Sequence, residues 1–191
     1  MGHYRVSYTL SRSMNNLGEF FFSSPIDPSD LSKDWGRSDD DQRHRLVVSG
    51  AIHTSMEPAT TRLAHLTHGF QVSAMLQAYS AHPLNIASGV TTVHGTAGRP
   101  IVDGGFIERN AGTGSDFFSL DMRISRTFRV TTRIQIEALL GGFNLTNRRN
   151  VLTRNANFGT GAYPSDPLPS FGQITAVREP RSVQFGARVR F

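Results

Sequence analysis

The last ten residues of the chain, Ser182-Val-Gln-Phe-Gly-Ala-Arg-Val-Arg-Phe191, alternate between two kinds of side chain. One set is apolar: Val183, Phe185, Ala187, Val189 and Phe191. The residues between them are Gln184, Gly186, Arg188 and Arg190. A period of two residues is typical of a β-strand, whose side chains point to opposite faces in turn. The stretch therefore predicts a terminal strand with one apolar and one arginine-bearing face.

The same alternation occurs in five earlier segments, each near the nine to eleven or so residues that a tilted strand needs to cross a bilayer. They cover residues 4–11, 45–53, 70–79, 118–125 and 133–140. Up to Leu140 the apolar residues of this segment have even numbers. At Gly141-Gly142 the alternation shifts by one residue, so that the odd-numbered Phe143 and Leu145 continue it. Adjacent glycines favour a bulge or a bend. We therefore expect an all-β, antiparallel, up-and-down sheet of about six strands, with a distortion at the two glycines.

The connections between these segments alternate in length. Long connections cover residues 14–44, 80–115 and 147–181, a short one covers 129–132, and the one at 55–69 is intermediate. Transmembrane β-barrels have long extracellular loops and short periplasmic turns. If the terminal strand descends to the periplasm, all three long connections are predicted on the outside.

Composition sets further limits. The chain has 191 residues, 38% of them hydrophobic, and no run of eighteen apolar residues that would predict a transmembrane helix. The absence of cysteine excludes a disulfide scaffold and thiolate metal sites. The net charge of +5 comes mostly from arginines that are spread singly along the chain, so we predict no nucleic-acid partner.

The polar sides of the last three segments carry most of the charged strand residues. Because burying an arginine in lipid near the midplane costs on the order of 2–4 kcal/mol, we predict that this side faces a watery lumen. The predicted lumen-facing residues are Asp121, Arg123, Arg133, Gln135, Glu137, Gln184, Arg188 and Arg190. Outward-pointing aromatic residues are predicted at Tyr4, Tyr8, Phe118, Phe185 and Phe191.

The terminal strand resembles the closing strand of bacterial outer-membrane β-barrels. In that family the strand ends in an aromatic residue that the barrel-assembly machinery reads from the periplasmic side. The resemblance implies a terminal β-signal at Val183, Phe185, Val189 and Phe191. It further implies that lipid of the outer membrane contacts the outer face of the sheet. It also implies a location in the cell outer membrane of a Gram-negative type of bacterium.

Several short motifs resemble the end of TonB-dependent receptors of the large type, which carry an N-terminal carboxypeptidase-regulatory-like domain. The first is the loop motif that includes Arg37, Ser38, Asp39, Asp41, Arg43 and His44. The others are Tyr8-Thr-Leu-Ser-Arg-Ser13, Phe143-Asn-Leu-Thr-Asn-Arg148, Phe171-Gly-Gln-Ile-Thr175 and Arg178-Glu-Pro-Arg181. In this order and spacing they cover nearly all of the chain.

The family implies a 22-stranded barrel with an internal plug that imports a scarce nutrient with energy passed on by TonB. Residues 1–191 correspond to its C-terminal barrel segment, and the remaining strands, the plug and the TonB box have no counterpart here. No export signal precedes the first strand, so we expect a fragment of a longer receptor that forms an open partial barrel. The ligand stays open among saccharides, siderophores and peptides.

No pattern in the chain predicts catalysis, a cofactor or a metal. The carboxylates around Asp39-Asp40-Asp41 could chelate calcium, but neighbouring arginines favour ion pairs instead. His65 and His68 would share a metal only in a helical turn, which the surrounding turn residues disfavour. Serines lack a Gly-x-Ser-x-Gly elbow, so we expect no enzyme.

The main alternative is a soluble antiparallel β-sandwich or a lipocalin-like binding module. It would use the same alternation with the apolar face turned into a core. Loop length counts against it, because hairpins in soluble sheets usually turn in about two to five residues. The position of the apolar face in the tertiary structure distinguishes the two.

Overall fold

A computed structural model of the chain describes residues 1–16, 25–54, 61 and 68–191. Six long strands form one antiparallel sheet in which every strand pairs with its neighbour along the chain. Their bounds are Gly2–Leu10 (β1), His44–His53 (β2), Phe70–Tyr79 (β3), Phe117–Arg129 (β4), Gln135–Phe143 (β5) and Ser182–Arg190 (β6). The predicted all-β, up-and-down architecture is confirmed.

The sheet is open and does not close into a barrel. Within the described residues, β1 pairs only with β2 and β6 pairs only with β5. The helical structure in this part of the chain is one 3-10 turn, Leu31–Asp34, capped by Asp30. No helix among the described residues is long and apolar enough to cross a membrane.

The predicted bulge at Gly141-Gly142 is wrong. Pairing with β4 and with β6 runs through both glycines without a shift of register. Phe143 consequently lies on the same face as Gly141 and Glu137. The apolar residues that end at Leu140 lie on the opposite face. The glycines instead make room for side chains: a Cβ on Gly142 would lie 2.6 Å from Cδ2 of Leu145.

The three long connections lie at the same end of the sheet, because each joins the end of an odd-numbered strand to the start of the next. We call their described residues, within 11–43, 80–116 and 144–181, the loop layer. Four short antiparallel pairs support it. They are Met14–Asn15 with Gly36–Arg37, Pro83–Leu84 with Gly112–Thr113, Ile101–Val102 with Gly105–Phe106, and Val151–Arg154 with Ile174–Val177.

Single bridges join the three loops to one another. Gly36 pairs with Arg109, and Ala87 pairs with Asn157. The opposite end of the sheet carries the described part of the connection 54–69 and the tight turn 130–134. The long and short connections are therefore segregated as predicted.

The buried apolar side chains of the described residues lie mostly in the loop layer and not in the sheet. They are Ile26, Ala51, Ile86 and Phe158, and Ala51 is the one that belongs to a long strand. The ring of Phe158 contacts those of Tyr163 and Phe171, with centroids 5.0 and 5.2 Å away. The sheet therefore does not wrap around an apolar core, as a soluble β-sandwich or a lipocalin would.

Candidate functional site

The two faces of the sheet differ in chemistry. The register places the odd-numbered residues of β1 to β5 and the even-numbered residues of β6 on one face, which we call the polar face. The opposite face, which we call the apolar face, carries mainly aromatic and aliphatic side chains. The polar face contains the buried strand residues Ser119, Ser125 and Glu137, whereas large side chains of the apolar face are exposed. This distribution is the inverse of a soluble fold.

The apolar face carries the residues of the predicted β-signal that belong to β6. Val183, Phe185 and Val189 are 57%, 79% and 56% exposed, and Phe191 follows the end of the strand. Tyr4, Tyr8 and Phe118 lie on the same face. A surface of this kind is stable only against an apolar environment or another apolar surface.

The polar face brings together seven of the eight residues predicted to line a lumen. Gly141 lies opposite both Arg123 and Gln184, and Glu137 lies opposite Arg188. Arg133 is the exception: it was predicted in the fifth strand but lies in the turn before β5, where Thr131 accepts a hydrogen bond from its backbone N–H. That side-chain bond ends the hairpin turn, so β5 begins only at Gln135.

Glu137 is the centre of charge on this face. Its carboxylate lies 3.8 Å from the guanidinium groups of Arg123 and Arg188, and 3.4 Å from that of Arg190. Three arginines from two flanking strands thus share one carboxylate. The cluster leaves a net positive charge on the polar face, which attracts anions.

Asp121 has a structural contact that the sequence did not indicate. Its Oδ1 accepts hydrogen bonds from the hydroxyl of Ser119 at 2.7 Å and from the backbone N–H of Asn144 at 2.8 Å. Asn144 has a positive φ of 46° and begins the third long loop. Asp121 therefore fixes the exit of β5, next to a groove of about 390 Å³ that polar-face residues of all six strands line.

The loop motif that resembles TonB-dependent receptors stabilises the first long loop. Asp41 is fully buried and accepts hydrogen bonds from the backbone N–H of Ser13 and from Nε of Arg37, both at 2.9 Å. Burial alone would raise the pKa of the Asp41 carboxyl. The hydrogen bonds from Ser13 and Arg37, with the charges of Arg37 and Arg43, outweigh burial and hold this pKa below its usual value.

The same motif joins the first and second long loops. Asp39 accepts a 2.6 Å hydrogen bond from the amide of Asn110 and lies 3.5 Å from the guanidinium of Arg109. Arg109 also donates to the side chain of Asn15. Ser38 is buried, and its N–H donates to the carbonyl of Ser13.

The end of the motif contacts the strands. The carbonyl of Arg43 accepts from the N–H of Ser11, and Nδ1 of His44 lies 2.8 Å from the hydroxyl of Tyr8. These contacts give the motif a structural role. Asp41 pairs with an arginine, Arg37, as the sequence predicted.

A buried ion pair in the loop layer has no sequence signal. Arg99 donates from Nη1 to Oδ1 of Asp34 at 2.8 Å, and Asp34 Oδ2 accepts from the N–H of Ile26 at 2.7 Å. The side chains of Asp34 and Arg99 are 6% and 4% exposed. Because these residues lie far apart in the chain, only the packing of the loops brings them together.

The loop layer forms a partly open cavity of about 590 Å³, a volume within the range of small-molecule sites. All three long loops contribute to its walls. The lining side chains include Ile26, Asp27, Val90, Thr92, His94, Arg99, Ile101, Phe106 and Thr160. The walls are mostly apolar, with a few polar groups, as expected for a site that orients a small ligand.

Asp27 provides a charged wall of this cavity. Lys33 donates to its Oδ2 at 2.6 Å, Ser29 donates to its Oδ1, and Nε2 of His94 lies 3.5 Å from Oδ1. The Lys33 hydrogen bond, followed by those of Ser29, lowers the pKa of Asp27 far below its usual value. The same contact raises the pKa of Lys33. Both groups are therefore charged at neutral pH.

The described residues contain no group of three or more histidine, cysteine or acidic side chains that could hold a metal ion. Asp39 and Asp41, considered above for calcium, each pair with an arginine, and so does Asp34 upstream of them. His65 lies outside the described residues, and so does the histidine pair considered above.

Comparison with curated proteins gives no match, and neither does comparison with solved structures. A family model described as an outer membrane beta barrel domain matches residues 3–106, which cover nearly all of β1, the whole of β2 and β3, and much of the loop layer. That match agrees with the exposed apolar face of the antiparallel sheet. The chain belongs to the outer membrane beta barrel domain family.

Proposed function

We propose that the chain is the C-terminal barrel segment of a TonB-dependent receptor that imports a nutrient across the outer membrane of a Gram-negative type of bacterium. The observation that carries the proposal is the arrangement of the sheet. The sheet has an arginine-bearing face and, on its opposite side, an exposed apolar face. Three long loops lie at one end of the sheet and line a cavity of about 590 Å³. Such an arrangement suits a barrel wall whose loops capture a solute.

The motifs that resemble TonB-dependent receptors support the finer assignment. The structure gives them a physical role, since Asp41 holds the first long loop together through Ser13 and Asp39 joins that loop to the second. In this proposal the chain has no catalytic activity and no cofactor. Its partners are outer-membrane lipid, the barrel-assembly machinery through β6, and TonB through a plug in another part of the receptor.

The open edges of β1 and β6 support a larger barrel. Unpaired backbone N–H and C=O groups in lipid cost several kcal/mol each, so an open sheet of six strands is not a stable membrane structure alone. We therefore propose that further strands of the receptor pair with these edges and that the plug fills the lumen.

The test is uptake by cells that express the whole receptor. Labelled saccharides, siderophores and peptides are offered to cells with and without TonB, and the proposal expects uptake of one class that disappears without TonB. Uptake that persists without TonB would show passive diffusion instead. In planar bilayers the receptor should give no steady ionic conductance, because the plug blocks the lumen, whereas an open porin would conduct.

A further inference from the structure

Two buried polar atoms in the wall of the loop-layer cavity have no hydrogen-bond partner among the described residues. They are Oγ of Ser88 and Nε of Arg99. Both residues line the cavity, and each is more than nine-tenths buried. Because buried polar atoms are nearly always paired, two such donors in a cavity wall favour a ligand that supplies the acceptors.

The positions of these two donors are fixed by the chain around them. The N–H of Ser88 donates to the carbonyl of Gly98 at 2.8 Å, and a Cβ on Gly98 would lie 2.9 Å from Oγ of Ser88. Glycine at this position therefore leaves the hydroxyl its space. Nη1 and Nη2 of Arg99 donate to Asp34 and to the carbonyl of Lys33, which leaves Nε for another acceptor.

The charges of the cavity wall are balanced within the chain. Among the described residues that line it, Asp27 and Arg99 are the charged ones if His94 is counted as neutral. Arg99 pairs with Asp34 at 2.8 Å, and Asp27 pairs with Lys33 at 2.6 Å. The wall therefore has no excess positive charge that would attract an anionic chelate. The two donors suit a neutral acceptor, such as the carbonyl oxygen of an amide.

The rest of the wall is mainly apolar. The side chains that provide this surface include Ile26, Val90, Pro100, Ile101 and Phe106. A saccharide presents many hydroxyl groups, and each one buried against such a wall without a partner would cost binding energy. Aliphatic side chains, in contrast, gain free energy when this wall removes them from water.

We propose that the cavity binds short peptides with apolar side chains, whose backbone carbonyls accept hydrogen bonds from Oγ of Ser88 and Nε of Arg99. The peptide side chains pack against Ile101 and Phe106, which belong to one hairpin of the second long loop. This inference rests on the proposed function and names its substrate class, because the imported nutrient is then a peptide rather than a saccharide or a siderophore.

Isothermal titration calorimetry of the whole receptor in detergent tests the inference with four probes. They are tri-leucine, tri-aspartate, maltotriose and a ferric tricatecholate chelate. We expect tri-leucine to bind, and the other three to bind weaker by about tenfold or more, the effect of leaving a buried polar group unpaired. Tighter binding of any of these three would overturn the proposal.

Two matched pairs of variants locate the binding site. Ser88→Ala should weaken tri-leucine binding about fivefold without lowering the free energy of unfolding, because the hydroxyl has no partner among the described residues. Ser11→Ala, at an exposed serine of the first loop, should leave binding unchanged. Ile101→Ala should weaken binding roughly tenfold, the weight of about two buried methylene groups. Val102→Ala changes the next residue, which does not line the cavity, and should have no effect.

The fold of each variant is checked by near-UV circular dichroism. Natural affinity for tri-leucine in correctly folded Ser88→Ala and Ile101→Ala would overturn the inference. TonB-dependent uptake of a saccharide without peptide binding would also overturn it, and would leave the proposed function standing. Peptide binding that follows the variants, together with uptake that persists without TonB, would support the inference and contradict the proposed function.

Discussion

Asp34 and Arg99 join two loops of the loop layer through an ion pair of 2.8 Å that is almost completely shielded from water. Asp34 lies at the end of the 3-10 turn of the first loop, and Arg99 lies in the second. Arg99 also donates to the carbonyl of Lys33, so its guanidinium holds both the side chain and the backbone of that turn. This long-range contact therefore helps to hold the wall of the cavity.

Replacing Asp34 by alanine should loosen the attachment of the first loop to the second. Removing one partner of a buried pair leaves the other charge uncompensated, which costs about 3–5 kcal/mol. We expect faster proteolysis of the loop layer while the sheet stays intact, measured by limited trypsin digestion of the folded protein. Asp40→Ala removes an exposed carboxylate of the same loop and should have little effect; equal digestion of the two variants would contradict the prediction.

The first loop should also loosen in acid. The pKa of Asp41 is lowered in the folded protein, so the stabilisation is fully present above the usual value of 3.8 and is lost as the pH falls through the lower, folded value. Hydrogen exchange of the Ser13 amide, which donates to Asp41, measures this loss once corrected for the intrinsic rate. Asp41→Asn should exchange faster at neutral pH. A Ser13 amide that stays equally protected in the variant would refute the assignment.

An arginine on the apolar face should hinder membrane folding. Leu140 lies on that face and is 39% exposed, so Leu140→Arg should cost on the order of 2–4 kcal/mol near the bilayer midplane. Gln184→Arg places the same side chain on the polar face and should be tolerated. Folding of the whole receptor into lipid vesicles, followed by its heat-modifiable migration, compares the two. If Gln184→Arg were the more harmful, the faces would be assigned the wrong way round.

Neutralising Glu137 should weaken the contact between β4, β5 and β6. Glu137→Gln leaves three arginines to repel one another across the polar face. Their side chains are about half exposed, so we expect a loss of only about 1 kcal/mol in the free energy of unfolding by urea. The loss should shrink in high salt, because ions screen the repulsion. Glu108→Gln, at an exposed acid of the loop layer, should show neither effect.

The strands could be predicted because alternation is a local property of the chain. Each predicted segment recurs in the structure with ends moved by a few residues, and β3 has the predicted bounds, Phe70–Tyr79. The failure at Gly141-Gly142 has a steric cause. The pattern of apolar residues changes phase there because Phe143 turns its ring towards the polar face and Leu145 fills the space above Gly142, whereas backbone pairing continues.

By itself, the sequence determined the antiparallel sheet, the segregation of long and short connections and the two chemical faces. All of these follow from a period of two and from loop length. The tertiary structure alone decided which side is exposed, and it decided the partners of Asp34, Asp39 and Asp121. Contacts such as Asp34 with Arg99 join residues from different loops, so they depend on how the strands bring those loops together, which no local pattern encodes. The loop cavity exists for the same reason.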